Sequence, residues 1–142
     1  MTVTRSFAVA AAFAAVAVGA ATPASAAPEM SGHYTVTETA AGDRSTTNQW
    51  YFTPCGDGCA SAANTPGGRS SQVQLVGGKW KMDTTDPAQC PDGTQVPNAL
   101  SAHYTWDPST LAGTVQTTAD TTECGDPAGY QATDKIQLRQ AS

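Results

Sequence analysis

The chain has 142 residues, of which 12 are acidic and 7 are Lys or Arg, so its net charge near neutral pH is −5. This acidic balance argues against nucleic acid as a partner and against binding to anionic lipid, because both need clustered basic side chains. The length suits one domain with a single core.

The first 26 residues have the features of an export signal. Arg5 supplies a positive charge, an uncharged Ala/Val run follows from Phe7, and Ala-Ser-Ala at 24–26 is a triplet that signal peptidase accepts. The apolar run is shorter than the ~20 residues of a spanning helix. We therefore expect cleavage after residue 26, a single secreted domain over 27–142 in the extracellular space or cell envelope, and no stable membrane insertion.

The 116 residues that remain when 26 are removed from 142 are poor in aliphatic side chains. The charged fraction is low, however, and three Trp and four Tyr supply large apolar groups. This composition predicts a folded domain with a thin core. Four cysteines in an exported chain of this size are then expected as disulfide cross-links.

Beyond the signal, Thr, Val, Tyr and Trp alternate with polar residues between clusters of Gly, Pro, Asn and Asp, which is typical of antiparallel β-structure. The first two predicted strands are 32–39 and 45–53. The second contains Trp50, Tyr51 and Phe52 in succession, and consecutive side chains point to opposite faces of a strand. We therefore assign Trp50 and Tyr51 to a possible ligand or partner surface.

The four cysteines permit three pairings. Cys55 and Cys59 enclose a Gly-Asp-Gly segment, and its glycines can adopt the positive φ angles that a tight ring demands. We therefore favour Cys55 with Cys59 and Cys90 with Cys124. The 55–59 spacing also falls in the range of zinc sites, but the other two cysteines are far apart in sequence and no His is near either pair. No metal and no other cofactor are expected.

Two hairpins follow. Segment 72–82 carries Gly-Gly at 77–78, which suits a two-residue turn and sets Leu75 opposite Trp80 on one face. Segment 104–115 turns at Asp-Pro, and a four-residue loop would pair Trp106 with Leu111 and Tyr104 with Gly113. Both registers predict that Trp80 and Trp106 are core residues.

The C-terminal segment completes the strand count. Tyr130, Ala132, Ile136 and Leu138 keep one parity, which Asp134 interrupts. The whole pattern predicts an all-β antiparallel meander of about seven or eight short strands, closed as a barrel or folded as a sandwich and stapled by two disulfides. The sequence does not choose between these two architectures.

His33 and His103 are the only histidines. Alternation places each beside Thr on the outer face, so we assign both to the possible ligand or partner surface. A shared metal or pH-sensing site would require their strands to be neighbours. No nucleophile elbow, zinc-protease helix or phosphate-binding loop occurs, and the aspartates at 57, 92, 107 and 126 lie in predicted turns. We therefore expect no catalytic residues and no enzyme activity.

Several short motifs are distributed along the chain: W-Y-F-T-P-C-G-D-G-C at 50–59, G-K-W at 78–80, C-P-D-G at 90–93 and Y-T-W-D-P-S-T-L-A-G-T at 104–114. Together with Gly-x-Tyr near residue 32, they resemble small secreted proteins of mycobacteria and related actinobacteria. The resemblance spans most of the mature chain. Its motifs belong to turns and disulfides, so it implies fold and location but no activity.

These observations predict a secreted, non-catalytic domain that binds an extracellular or cell-envelope partner. Two other functions stay open. One is a small barrel that carries a lipid or glycan, and the other is a small secreted hydrolase or hydrolase inhibitor. A cavity of a few hundred cubic ångströms would be needed for the carrier.

Overall fold

The computed structural model describes residues 26–142, so the predicted export signal lies almost entirely outside the described residues. The described chain forms eight antiparallel strands, each paired with its neighbours in sequence, and β1 pairs with β8 to close a barrel. The strands are β1 (Gly32–Thr39), β2 (Ser45–Gly56), β3 (Cys59–Ala63), β4 (Ser70–Val76), β5 (Lys79–Gln89), β6 (Gln95–Trp106), β7 (Ala112–Ala119) and β8 (Gln131–Gln140). The predicted all-β meander is confirmed, and its architecture is the barrel.

Because successive strands run in opposite directions, the connections collect at two ends of the barrel. We call the end with the segments 40–44, 64–69, 90–94 and 120–130 the mouth. The other end, which we call the base, holds the short turns after β2, β4 and β6 together with both ends of the described chain. This division separates the packed part of the interior from its open part.

Large apolar side chains fill the base. Trp80 and Trp106 face each other across β5 and β6, and their exposed fractions are 1% and 0%. Trp106 packs against Trp50 and Phe52, with ring centroids 5.9 and 6.1 Å apart. The predicted core role of Trp80 and Trp106 is therefore confirmed, and the few aliphatic residues of the chain are supplemented by aromatic rings.

The β4–β5 hairpin follows the predicted register. Gly77 and Gly78 both have positive φ, as a two-residue hairpin turn requires. Leu75 lies opposite Trp80, and Val73 lies opposite Met82. Turn chemistry and the apolar pattern therefore determine this hairpin together.

The β6–β7 register differs from the prediction. Trp106 pairs with Gly113, and Tyr104 pairs with Val115. The turn spans residues 107–111 because the Asp107 carbonyl accepts the N–H of Leu111 while the Asp107 N–H donates to the Ala112 carbonyl. Leu111 takes a positive φ of 58°, a conformation that the four-residue loop did not include.

Gly113 lies where two backbones approach closely. A Cβ atom added there would overlap the carbonyl oxygen of Thr105 and lie 2.6 Å from the Cα of Trp106. Backbone atoms of a paired strand cannot move aside cheaply, so we expect Gly113→Ala to lower the free energy of unfolding by about 3 kcal/mol. Urea denaturation measures this change. Gly77→Ala is the control, since it meets only the strain of its φ of 60° and should cost about 1 kcal/mol; equal losses would contradict the close approach.

Both predicted disulfides are present, Cys55–Cys59 and Cys90–Cys124, and the described chain has no free cysteine. Cys90 is buried in a second, small apolar cluster with Val96 and Ala99. Two disulfides indicate an oxidising environment such as the extracellular space. No helix within residues 26–142 has the length and apolar character needed to cross a bilayer.

The C-terminal pattern begins later than expected. Tyr130 precedes β8 and is 55% exposed, whereas Ile136 and Leu138 are buried in the core. Asp134 keeps the inward parity of these two residues and is only partly exposed. The residue that interrupted the apolar pattern therefore points into the barrel.

Candidate functional site

A cleft of about 810 Å³ opens in the mouth half of the barrel. From the interior it is lined by Asn48, Trp50 and Ala62, which continue the inward-facing rows of β2 and β3. Met82 and Tyr104 also line it, directly above Trp80 and Trp106 along β5 and β6. The aromatic core at the base thus forms the floor of the cleft.

The cleft coincides with a gap in the barrel wall. β3 and β4 stay paired toward the mouth as far as the first residue of β4, where Ser70 pairs with Ala63. β4 and β5, in contrast, are paired only near their connecting turn, and the last pair is Val73 with Met82. Beyond that point β5 continues to Gln89 with β6 as its partner. Residues 70–71 of β4 and 84–86 of β5 therefore have no partner residue across this seam.

Side chains from both faces of β5 line the cleft. Thr84 and Asp86 follow Trp80 and Met82 on the inward face, whereas Asp83 and Thr85 are exposed on the outward face. The cleft therefore extends from the interior of the barrel to outward-facing side chains of β5, beside the β4–β5 gap.

Three carboxylates lie on the inward face toward the mouth: Glu38 on β1, Asp86 on β5 and Asp134 on β8. Burial raises the pKa of Glu38, and the neighbouring Asp134 and Asp86 raise it further because they disfavour a second negative charge. Burial also raises the pKa of Tyr104, with smaller contributions from Glu38 and Asp86. The inner wall is therefore acidic, and its carboxylates repel one another.

We expect Glu38→Gln to remove a loss of folding stability that the wild type suffers as the pH rises. A carboxyl group whose pKa is raised in the folded state stabilises the fold while it is protonated, and this contribution is lost as the pH rises through the folded-state pKa. The advantage of the Gln variant should therefore grow from pH 4 to pH 8, and it should stay below about 1 kcal/mol for a half-exposed group. Urea denaturation across this range measures the effect. A constant difference from the wild type would contradict the repulsion, and Asp43→Asn in an exposed loop serves as control.

His103 is a polar residue in the outer part of the cleft wall. Its Nδ1 lies 2.5 Å from Oδ1 of Asp83 on the neighbouring strand. Its Nε2 is 3.5 Å from the hydroxyl of Thr105. The Asp83 carboxylate fixes the orientation of the imidazole ring, which leaves Nε2 available to an outside group.

His33 lies at a different place on the barrel. Its ring stacks on Tyr51 with centroids 4.4 Å apart and planes 6° apart, and its Nε2 is 2.6 Å from the Gln49 side-chain oxygen. His33 is on β1 and His103 is on β6, and these strands are not neighbours. The condition for a site shared by the two histidines is not met.

The proposed surface residues are thus divided by the structure. Tyr51 and His33 form a small aromatic platform on the outer face of β1 and β2, His103 lies at the cleft, and Trp50 is inside the barrel with an exposed fraction of 5%. Trp50 is therefore no part of an outer surface with Tyr51. It belongs to the floor of the cleft.

Sequence reasoning missed the inward carboxylates, although a signal for two of them was present. Glu38 continues the alternation of Tyr34 and Val36, and Asp86 continues that of Trp80 and Met82. The predicted turn role of other aspartates fits the structure. Asp107 accepts the N–H groups of Ser109 and Thr110, and Asp92 accepts that of Thr94. These hydrogen bonds lower the pKa of both carboxyl groups.

No group of three or more His, Cys, Asp or Glu side chains within residues 26–142 is arranged to hold a metal ion. Comparison with protein-family models, with curated proteins and with solved structures found no match to this chain. Any functional assignment therefore depends on the geometry of the barrel and its cleft.

Proposed function

We propose that this chain is an exported, non-catalytic binding protein that takes an extracellular or cell-envelope ligand into the cleft at the β4–β5 gap. The observation that carries the proposal is the cleft itself. Its volume of about 810 Å³ is in the range of ligand sites, which are about 300–1,000 Å³. Its opening onto the outer surface gives a ligand direct access.

The chemistry of the wall favours a polar ligand over a lipid. Hydroxyl, amide and carboxylate groups predominate, including Asn48, Ser71, Thr84 and Asp86. An acyl chain would cover these groups without giving them hydrogen-bond partners, which costs free energy. Trp80 and Trp106 also fill the deeper interior, where a lipid carrier would need space. A carrier role is therefore proposed only for a polar cargo such as a glycan or a peptide.

Export is proposed on three grounds. The first 26 residues have the pattern of a cleavable signal, and the disulfides require an oxidising compartment. The resemblance to small secreted actinobacterial proteins supports the same location. Intact mass of the naturally secreted protein tests this part, and the expected chain begins at Ala27 with four hydrogens fewer than the reduced form.

The binding role is tested by obstructing the cleft. Ser70→Trp and Thr85→Trp place a large side chain at exposed positions of its wall. Ser109→Trp adds the same bulk in the exposed turn at the opposite end of the barrel. Labelled proteins are titrated against extracellular and cell-envelope fractions. We expect loss of binding for both cleft variants and full binding for the control.

The same titration distinguishes the aromatic platform from the cleft. Tyr51→Ala removes the ring that stacks on His33. Loss of binding in this variant alone would assign ligand binding to the aromatic platform instead of the cleft. Equal binding by all variants would refute both locations, and absence of any binding by the wild type would refute the binding role.

A small hydrolase is the second candidate function, and the His103–Asp83 pair at the cleft is the observation that favours it. An imidazole held by a carboxylate is the usual form of a general base. Assays with generic peptide, ester and glycan substrates test this candidate, with His103→Ala as the matched variant. Activity that disappears in His103→Ala would establish it, whereas inactivity of the wild type would remove it.

A further inference from the structure

The aromatic platform and the cleft lie side by side on the outer surface of the barrel. The partner of Tyr51 on β3 is Ala63, and the partner of Ala63 on β4 is Ser70. All three belong to the outward rows of their strands. Ser70 lines the cleft, and so does Asn64, which follows Ala63 in the chain. Two strand spacings of about 4.8 Å each therefore separate Tyr51 from the cleft wall.

One face of the Tyr51 ring is turned toward the cleft. The opposite face stacks on His33, with the ring planes 6° apart. His33 is on β1 and Ala63 is on β3, so they lie on opposite sides of Tyr51. The second face of the ring therefore looks along the surface toward Ala63. Because alanine has only a methyl group, its side chain is too short to cover that face.

The platform holds the Tyr51 ring in a fixed orientation. Nε2 of His33 is 2.6 Å from the side-chain oxygen of Gln49, and the hydroxyl of Thr35 is 3.4 Å from the same oxygen. These contacts fix the imidazole, and the imidazole in turn supports the phenol ring. A ligand that stacks on Tyr51 therefore meets a ring that loses little conformational freedom on binding.

Polar side chains continue the surface on the far side of the β4–β5 gap. Thr85, Ser101 and Thr118 are partners on β5, β6 and β7, and all three line the outer part of the cleft. Gln116 and His103 lie beside them in the same wall. Hydroxyl groups and side-chain amides can both donate and accept hydrogen bonds. The outer wall can therefore bind a series of hydroxyl groups across three strands.

The chemistry of this surface favours a chain of sugar rings. A pyranose ring has an apolar C–H face that can stack on an aromatic face, and its hydroxyls both donate and accept hydrogen bonds. A peptide backbone would find no strand edge between Tyr51 and the cleft, since both described seams are paired at Ala63. The cleft wall carries Arg69 and Asp83, of opposite charge, and the net charge of −5 disfavours an anionic polysaccharide.

We propose that the aromatic platform and the cleft form one elongated site for a linear, neutral polysaccharide, with one sugar ring stacked on Tyr51 and the following rings passing over Ala63 into the cleft. This inference rests on the proposed binding function and specifies its ligand. The cleft supplies most of the contacts. Tyr51 adds affinity only for chains that are long enough to reach it from the cleft.

The test compares chain lengths. Linear hexasaccharides of glucose, galactose, mannose and N-acetylglucosamine, together with the matching disaccharides, are titrated into the full mature protein by calorimetry. We expect at least one hexasaccharide to bind, and to bind about tenfold more tightly than its disaccharide, because only the longer chain adds the ring contact with Tyr51. Failure of every hexasaccharide to bind would overturn the inference.

Protein variants test the role of Tyr51. Tyr51→Ala should weaken the hexasaccharide about tenfold, the loss expected for one ring contact, and should leave the disaccharide unchanged. Tyr51→Phe keeps the ring and should keep full affinity. Ala63→Leu fills the space beside the ring and should have the same effect as Tyr51→Ala. Equal weakening of both chain lengths, or an unchanged hexasaccharide affinity in Tyr51→Ala, would overturn the stacking position.

A cleft variant tests whether the two parts form one site. Thr85→Trp places bulk in the cleft wall and should abolish binding of both chain lengths, whereas Ser109→Trp at the base should have no effect. Thermal denaturation confirms that each variant is folded. Full binding of the hexasaccharide by Thr85→Trp would overturn the continuity and leave the sugar on the platform alone.

The remaining outcomes separate this inference from the proposed function. A peptide that binds and is blocked by Ser70→Trp, when no hexasaccharide binds, would overturn the polysaccharide and leave the binding function in place. Tighter binding of a uronic acid hexasaccharide than of any neutral one would overturn the preference for a neutral chain. Absence of binding to all sugars, peptides and cell-envelope fractions would refute the proposed function as well.

Discussion

Replacing Trp106 by Ala is expected to lower the free energy of unfolding by about 4 kcal/mol, the typical loss for a fully buried Trp. The side chain has an exposed fraction of 0% and lies between Trp50, Phe52 and the facing Trp80. Its indole N–H has no hydrogen-bond partner within residues 26–142. The loss therefore comes from apolar contact and from the cavity left in a thin core.

Urea denaturation of the two proteins measures this effect. Tyr130→Ala is the matched control because Tyr130 is also a large aromatic residue but is 55% exposed, and it should change the free energy by less than about 0.5 kcal/mol. A loss below about 2 kcal/mol for Trp106→Ala would show that the base of the barrel is less tightly packed than its geometry indicates. The cleft would then lack a rigid floor.

The second large effect is expected from removal of the Cys90–Cys124 disulfide in a Cys90→Ala, Cys124→Ala double variant. The bridge closes a loop with a sequence separation of 34, and the chain-entropy relation gives about 4 kcal/mol for a loop of that length. The buried cluster of Cys90 with Val96 and Ala99 would also loosen. Thermal and urea denaturation of the double variant measure the loss.

The Cys55–Cys59 disulfide provides the control. It joins residues only four apart at the β2–β3 turn, so the corresponding double variant should lose about 2 kcal/mol by the same relation. Cys55 is exposed, and this bridge should also be the first to be reduced by added thiol. Equal stabilities of the two double variants would contradict the entropic basis of the difference.

Local sequence chemistry was sufficient to predict much of the fold. The Gly-Gly turn fixed the β4–β5 register, alternation identified the inward row of Trp80 and Met82, and the Gly-Asp-Gly segment indicated the pairing of Cys55 with Cys59. The predicted β6–β7 register was wrong because the turn is longer than expected and contains Leu111 with a positive φ. A residue with a Cβ rarely takes that conformation, and tertiary contacts compensate its cost.

The candidate site was less accessible to such reasoning. Alternation alone places Glu38 and Asp86 on inward faces, but the proximity of Glu38 to Asp134 arises only when β8 pairs with β1 and closes the barrel. The sequence analysis assigned Trp50 to a surface with Tyr51, whereas the structure places Trp50 inside the barrel. Three consecutive aromatics must be divided between two faces, and the sequence does not say which face is inside.

The sequence by itself determined the β class, a count of about seven or eight strands, the two disulfides and the aromatic core, because each depends on residue spacing or on local turn chemistry. Only the tertiary structure decided that the sheet closes as a barrel, that the β4–β5 seam stops at Val73 and Met82, and that the cleft follows from this gap. These features depend on where strands that are distant in sequence cease to pair. That point is set by the twist and length of the whole sheet rather than by any local pattern.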